Sequence, residues 1–263
     1  MSRKIIPFLL ILLLLPLGIA GRSLDEIKRS GVIWVAFTSD DLKNINYDLA
    51  LEFARYLNVE LKEVKIEWDE AFMLNGSIPE DMQTNPGLRY TPDALKRADI
   101  ICSTFTVMEW RKRLFGFAET LQTAELLMIN KNEVAPADFN DLAGKRIAFM
   151  GETSIEQHLL EINATLTEKM KLVRTSSSEE TEQLLEELKV YGIVLDADEA
   201  LLINAKSGQK YKIAIPISEV SRSAWAVEKN NPLILEVENF FETIASTGFL
   251  DDIFFRRFGI TYK

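Results

Sequence analysis

Chemistry needs particular side chains at particular spacings, and this chain is short of the commonest ones. His158 is its one histidine and Cys102 its one cysteine. That leaves no basis for a histidine-centred triad, a His/Cys metal cluster or an internal disulfide. Cys102, between Ile101 and Ser103 in an apolar run, reads as a small core residue. What remains is charge and hydroxyls at the ends of segments. Gly151-Glu-Thr-Ser154 lies between an apolar run and an amphipathic one, so its backbone N–H groups and the helix start behind it form an anion site. Asp196 follows the short apolar Ile193-Val-Leu195; there a carboxylate either faces a cation or caps the next helix. Trp110-Arg-Lys-Arg113 is a basic cluster that, taken by itself, reads as a solvated surface run. No cofactor and no metal are expected.

The elements that must position these residues alternate along the chain. Strands are expected at Val32–Phe37, Glu60–Ile66, Asp99–Ser103, Glu125–Asn130, Arg146–Met150, Lys171–Thr175, Gly192–Leu195, Tyr211–Ile215 and Ser223–Val227. Helices are expected at Tyr47–Leu57, Pro92–Arg97, Ser154–Lys169, Ser178–Lys189, Asp196–Ala205 and Pro232–Thr247. Thr153-Ser-Ile-Glu156 and Ser177-Ser-Glu-Glu180 both fit a capping box. This is an α/β pattern. Trp68–Tyr90 has turn residues and little periodicity, and reads as a long surface excursion.

Charge narrows the partners. Lys plus Arg is 30 against 40 Asp plus Glu, a balance that repels a phosphate backbone, so no nucleic acid partner is expected. The first twenty residues run from Ser2-Arg3-Lys4 through a long apolar stretch to Gly18-Ile19-Ala20, which reads as a secretory signal peptide cleaved after Ala20, with Ser23 as a second possibility. An uncleaved membrane anchor is the competing reading, although Pro7 and Pro16 interrupt the run. Removing residues 1–20 leaves 28 basic against 40 acidic residues, a net charge of −12. The expectation is an acidic, exported, disulfide-free protein.

Read in order, Leu24-Asp-Glu-Ile-Lys-Arg-Ser-Gly31, Tyr47 to Leu57, Ala98-Asp-Ile-Ile, Thr106-x4-Arg111-x5-Phe117, Asp141-Leu-Ala-Gly-Lys145, Gly151-Glu-Thr-Ser154, Gly192-Ile-Val-Leu-Asp196 and Thr247-Gly-Phe-Leu-x-x-Ile253 form a series. It resembles the family 3 extracellular solute-binding proteins, which have the type II periplasmic binding protein fold. The resemblance runs from about Leu24 to Gly259 and rests on order and spacing. It implies two α/β lobes, each a mixed sheet flanked by helices, joined by crossing strands near Leu121–Glu125 and Ile217–Arg222. Lobe 1 is then residues 24–121 plus 222–263, and lobe 2 residues 122–221.

The resemblance also implies a ligand site. Arg111 contacts a ligand carboxylate through its planar fork; Thr106 adds a hydroxyl and an N–H, and the Thr104 carbonyl faces a ligand ammonium. Gly151, Glu152 and Thr153 grip the ligand from lobe 2, and Asp196 meets its ammonium. Phe37 and Trp68 are the expected aromatic walls, and Asn44 stands near the family's glycine, as the residue that best tolerates positive φ. Two departures stand out. Glu152 occupies the place where many relatives have threonine, and would repel a ligand carboxylate unless it pairs with Arg111 or a cationic ligand group; Tyr191-Gly192 replaces the usual Asp-Ala.

These implications lead to a monomeric periplasmic binding module that captures a small polar metabolite, an amino acid or related carboxylate, for an ABC transporter and performs no chemistry. A periplasmic dehydratase-like enzyme on the same fold, with Glu152 as acid or base, is one alternative. A sensory or degenerate lobe is another. The tail from Ser221 is also similar to the binding lobe of membrane-bound lytic transglycosylases. Their catalytic domain is not expected, because the chain stops four residues past Gly259.

Overall fold

In a computed structural model the protein is described over residues 21–38, 41 and 44–262. The expected signal peptide, residues 1–20, lies outside the described residues. No described helix is long and apolar enough to cross a membrane.

Two five-stranded sheets form the frame, and both have the same strand plan. The first runs β2 (Glu60–Lys65), β1 (Val32–Phe37), β3 (Ile100–Thr106), β10 (Ser221–Glu228), β4 (Phe115–Thr123). β1 pairs in parallel with β2 and β3, and β10 runs antiparallel between β3 and β4. The second runs β7 (Lys171–Thr175), β6 (Arg146–Met150), β8 (Gly192–Asp196), β5 (Glu125–Asn130), β9 (Tyr211–Pro216). Here β5 is the antiparallel strand, between β8 and β9. The chain passes from the first sheet to the second at Thr123–Glu125 and returns at Ile217–Ser221. The passages are tied together: Ile217 donates to the Glu125 carbonyl (2.7 Å) and the Glu125 N–H to the Ser218 hydroxyl (3.0 Å). His158 also meets the buried Glu125 carboxylate at 2.7 Å, a hydrogen bond that raises the imidazole pKa.

Helices cover both sheets. α1 (Leu24–Ser30) starts at a true capping box, Ser23 with Glu26. α2 (Ile45–Leu57) turns Leu49, Phe53 and Leu57 into the first core, where α6 (Leu233–Thr247) and α7 (Phe249–Phe258) also bury their faces. α3 (Ser154–Thr165), α4 (Ser178–Glu186) and α5 (Ala197–Lys206) belong to the second sheet. Leu201 and Leu202 of α5 reach into the first core cluster, so the lobes also touch through apolar surface.

Several expectations change. Pro92–Arg97 is a short 3-10 turn over Asp93–Lys96. α3 and α4 stop before Lys169 and Lys189: Leu166 is extended and buried, and the Asn163 amide binds the backbone of Met170. Asn44 has φ −109°, and it caps α2 by accepting from the Asn46 N–H. Trp68–Tyr90 is built into the lobe: Phe72, Ile78, Met82 and Leu88 pack in a second core cluster and the Tyr90 hydroxyl donates to the Phe72 carbonyl at 2.6 Å. β4 and α7 were not among the expected elements.

One ion pair fastens the start of the described chain. Arg22 donates through Nε and Nη2 to the fully buried Asp99 carboxylate, which also accepts the Trp34 N–H at 2.8 Å. Arg22→Ala leaves that carboxylate buried and without its cation, so urea unfolding should show a loss of about 3 kcal/mol. The same loss is expected of a chain that begins at Leu24. A change below about 0.5 kcal/mol in both would mean that the pair does not hold the fold.

Candidate functional site

A cavity of about 740 Å³ opens between the lobes, at the carboxyl ends of the strands. Its lining follows from the topology. Thr38 comes just after β1, Thr104 and Thr106 end β3, Gly151 follows β6, Thr175 ends β7 and Asp196 ends β8. Ligands collect in such places because loops and helix starts from neighbouring strands converge there.

Arg111 dominates the site. It is 1% exposed, and no described carboxylate lies within 4 Å of it. Four rings surround its guanidinium, Trp110 at 5.1 Å, Phe72 at 5.4 Å, Trp68 at 5.5 Å and Phe105 at 5.9 Å from the ring centroids. Aromatic faces offset part of the lost hydration through cation–π attraction. Nη1 donates to the Thr106 carbonyl at 3.0 Å and Nη2 to the Glu152 carbonyl at 3.4 Å, while the buried Nε has no partner. Burial lowers the guanidinium pKa to about 10, against the pull of Asp196 and Glu125. It stays charged at neutral pH.

The opposite wall is acidic. Burial pushes Asp196 well above the usual carboxylate range, Asp198, Glu125 and Glu199 push it further, and Arg111 opposes them. Asp198 is raised by the same desolvation, and Asp41, fully enclosed, is pushed up to about 7. A polar chain supports this wall from behind: the Trp225 indole donates to Asn46 (3.0 Å), whose amide donates to Thr104 (3.0 Å) and Asp41 (3.3 Å). The Thr104 hydroxyl reaches Asp198 across the lobes at 3.4 Å. The cleft is thus polarised, cationic at Arg111 and acidic toward Asp41, Asp196 and Asp198.

Most of the expected site residues line this cavity: Arg111, Thr104, Thr106, Gly151, Glu152, Thr153, Asp196 and Trp68. Phe37 does not. It is fully buried in the lobe 1 core, with its ring 5.4 Å from Tyr47, because both faces of the end of β1 are covered. Asp196 has N-cap backbone geometry but no side-chain capping bond, which leaves its carboxylate for the cleft. Thr106 bridges the lobes through a 2.8 Å contact with the Ser154 hydroxyl. The Thr153–Glu156 capping box does not form; Thr153 donates to the Met150 carbonyl at 2.8 Å, and Glu156 instead accepts the Glu152 N–H at 3.1 Å.

Glu152 does not pair with Arg111 through its side chain. Its carboxylate pairs with Arg174 at 2.5 Å, and its backbone carbonyl is the part that meets Arg111. Sequence reasoning missed Arg174, Asp41 and Ser154 as cleft residues. Asp41 was visible as an acid in the loop after β1; Arg174 looked like an ordinary strand residue.

The fold and the cleft together define a two-lobed binding-protein architecture, the type II periplasmic binding protein fold. No family model matches the chain. Among solved structures it is similar to a mutant of the arginine-binding protein ArgBP of T. maritima, with TM-score 0.67 and 23% identity over 90% of this chain and 99% of that one. It is also similar to the ancestral amino acid-binding protein AncCDT-1, a precursor of cyclohexadienyl dehydratase, with TM-score 0.69 and 21% identity over 89% and 99%. Among curated proteins it is similar to membrane-bound lytic murein transglycosylase F of Saccharophagus degradans, 28% identical over 250 residues, and of Desulfosudis oleivorans, 27% over 214. It covers 88% and 80% of this chain respectively, but the chain spans only 45% and 43% of those relatives.

The acidic wall has a pH signature. A carboxylate raised on folding, such as Asp41, binds its proton more tightly in the folded form, so the empty protein loses stability as pH rises from about 4 through about 7. As pH rises through that range Asp41 ionises, and the wall attracts cations more strongly. Affinity for a cationic amino acid should therefore increase between pH 5 and pH 8 in calorimetric titrations. Affinity that is flat or falls over this interval would remove the aspartates from the site.

Proposed function

We propose that the protein is an exported binding module that captures a small amino acid in the interlobe cleft and presents it to a membrane partner. One observation carries this reading: a fully charged guanidinium is buried in the cleft without a described carboxylate to neutralise it. A buried charge of this kind is a large expense unless a counterion arrives, and a ligand carboxylate is the natural one. The carboxylates of Asp41, Asp196 and Asp198 favour a ligand that also carries an ammonium or guanidinium. The similar solved structures named for arginine and amino acid binding agree with that class.

Periplasmic location, an ABC transporter partner and a monomeric state belong to this proposal. So does the absence of chemistry. Glu152, the candidate acid or base of a dehydratase-like enzyme, is 45% exposed at its side chain and ion-paired to Arg174, a poor position for passing a proton to a bound substrate. The relatives named as transglycosylases support a second use of the same cleft, as a ligand-sensing lobe within a larger protein.

A thermal-shift screen against amino acids, dicarboxylates and polyamines tests the reading, because a ligand that binds only the folded state raises the melting temperature. Amino acids, cationic ones above all, should give the largest shifts. Arg111→Ala should then weaken the best ligand by about 2–5 kcal/mol in calorimetry. Shifts confined to polyamines, or an unchanged affinity in the variant, would overturn the carboxylate-anchor reading.

A further inference from the structure

Glu152 stands on left-handed backbone, φ 60°, a conformation that residues with a β-carbon seldom adopt. Such a residue persists only when its surroundings over-determine it. The surroundings here are unusual. Its N–H is held by Glu156 (3.1 Å), and its carboxylate by Arg174 (2.5 Å) and, from lobe 1, by Gln83 (3.4 Å). Its carbonyl accepts from two lobe 1 donors, Trp68 Nε1 and Arg111 Nη2, both at 3.4 Å.

Arg174 explains the neighbouring glycine. A β-carbon on Gly151 would sit 2.1 Å from Arg174 Nε, 2.8 Å from Cζ and 2.9 Å from Cγ. The φ of Gly151 lies outside the left-handed region, so the backbone does not demand glycine there. Space does. The Arg174 side chain lies in the slot that glycine leaves, and Glu156 holds its Nε at 3.3 Å.

A carboxylate binds an arginine most firmly through two parallel N–H bonds. On Arg111 the side-on fork is Nε and Nη2. Nε has no partner, and Nη2 is taken by the Glu152 carbonyl.

We propose that Arg174 is a positioning residue for the cleft: seated over Gly151, it fixes the Glu152 side chain so that the Glu152 carbonyl occupies one prong of the Arg111 fork, and a ligand carboxylate must displace that carbonyl to bind. This rests on the amino acid-binding reading above. Arg174 thereby sets how tightly carboxylates are held without touching them.

The test uses L-arginine and its carboxamide as probes, with ligand-free crystal structures alongside. Arg174→Ala releases Glu152, so L-arginine should bind about 3–10-fold more tightly, an effect the size of one hydrogen bond, while the carboxamide, which cannot fill the fork as an anion, should change little. Gly151→Ala evicts Arg174 sterically and should reproduce the gain. Adding Gly151→Ala to Arg174→Ala should then have no further effect. Arg174→Lys, which keeps the charge and loses the second contact, should fall between. In the ligand-free Arg174→Ala crystal, Glu152 should leave the left-handed region and its carbonyl should withdraw from Arg111. A merely structural Arg174 predicts weaker binding of both probes; that result, or Glu152 unmoved in the crystal, overturns the inference. If the wild-type chain binds no L-arginine, the functional reading is what fails, and the crystal alone decides the role of Arg174.

Discussion

A guanidinium enclosed by four aromatic rings, with protein carbonyls and no described carboxylate as its partners, is the constraint on which the rest of this structure depends. Burying such a group is unfavourable by several kcal/mol unless something compensates it. The chain offers only partial compensation. Trp68, Phe72, Phe105 and Trp110 contribute cation–π attraction, and the carbonyls of Thr106 and Glu152 each accept one N–H. The remaining deficit is a driving force for binding an anion.

The repeated sheet plan makes that deficit possible. In each sheet one antiparallel strand, β10 or β5, is wedged beside a parallel trio, so both lobes present strand ends to a shared cleft. Opposed sheets separate the charges: Arg111 follows β3 of one lobe, and Asp196 ends β8 of the other. Cross-lobe contacts are few and polar at the cleft itself, chiefly Thr106 with Ser154 and the donors that meet Glu152. The hinge passages, by contrast, are laced together by Glu125, Ile217 and Ser218. Weak contacts at the mouth and firm ones at the passages between the sheets are what the proposed solute capture calls for.

Much of this was legible in the sequence, and for physical reasons. β5, β6 and β7 have the bounds expected of them, because each is a short run ended abruptly by turn residues or charge. β4 was hidden: Gly116, Glu119 and Gln122 break its pattern, and its partner β10 lies about a hundred residues away in sequence. Gly116 has its own reason, since a β-carbon there would come within 2.6 Å of Ile234 on α6. α7 was hidden because two helices meet at Gly248, so the apolar pattern never pauses. Among site residues, the arginine and the hydroxyls came through the resemblance to the solute-binding family and not from their own surroundings in the sequence. Of the aromatic cage only Trp68 did, since Phe72, Phe105 and Trp110 come from the excursion after β2, from β3 and from the loop after it, and only the fold gathers them. Phe37 misled because a residue at a strand end can as easily turn into a core as into a cleft. The left-handed Glu152 carried no signal, because only glycine and asparagine announce that conformation in a sequence.

The central claim is that the cleft owes its affinity to an anion meeting the unneutralised Arg111. Calorimetric comparison of the best-binding amino acid with its own carboxamide, on the unmodified protein, tests this without disturbing the fold. The account predicts that the carboxamide binds at least about 100-fold more weakly, the loss expected when a buried charge is left without its counterion. Equal affinity for the two would contradict it.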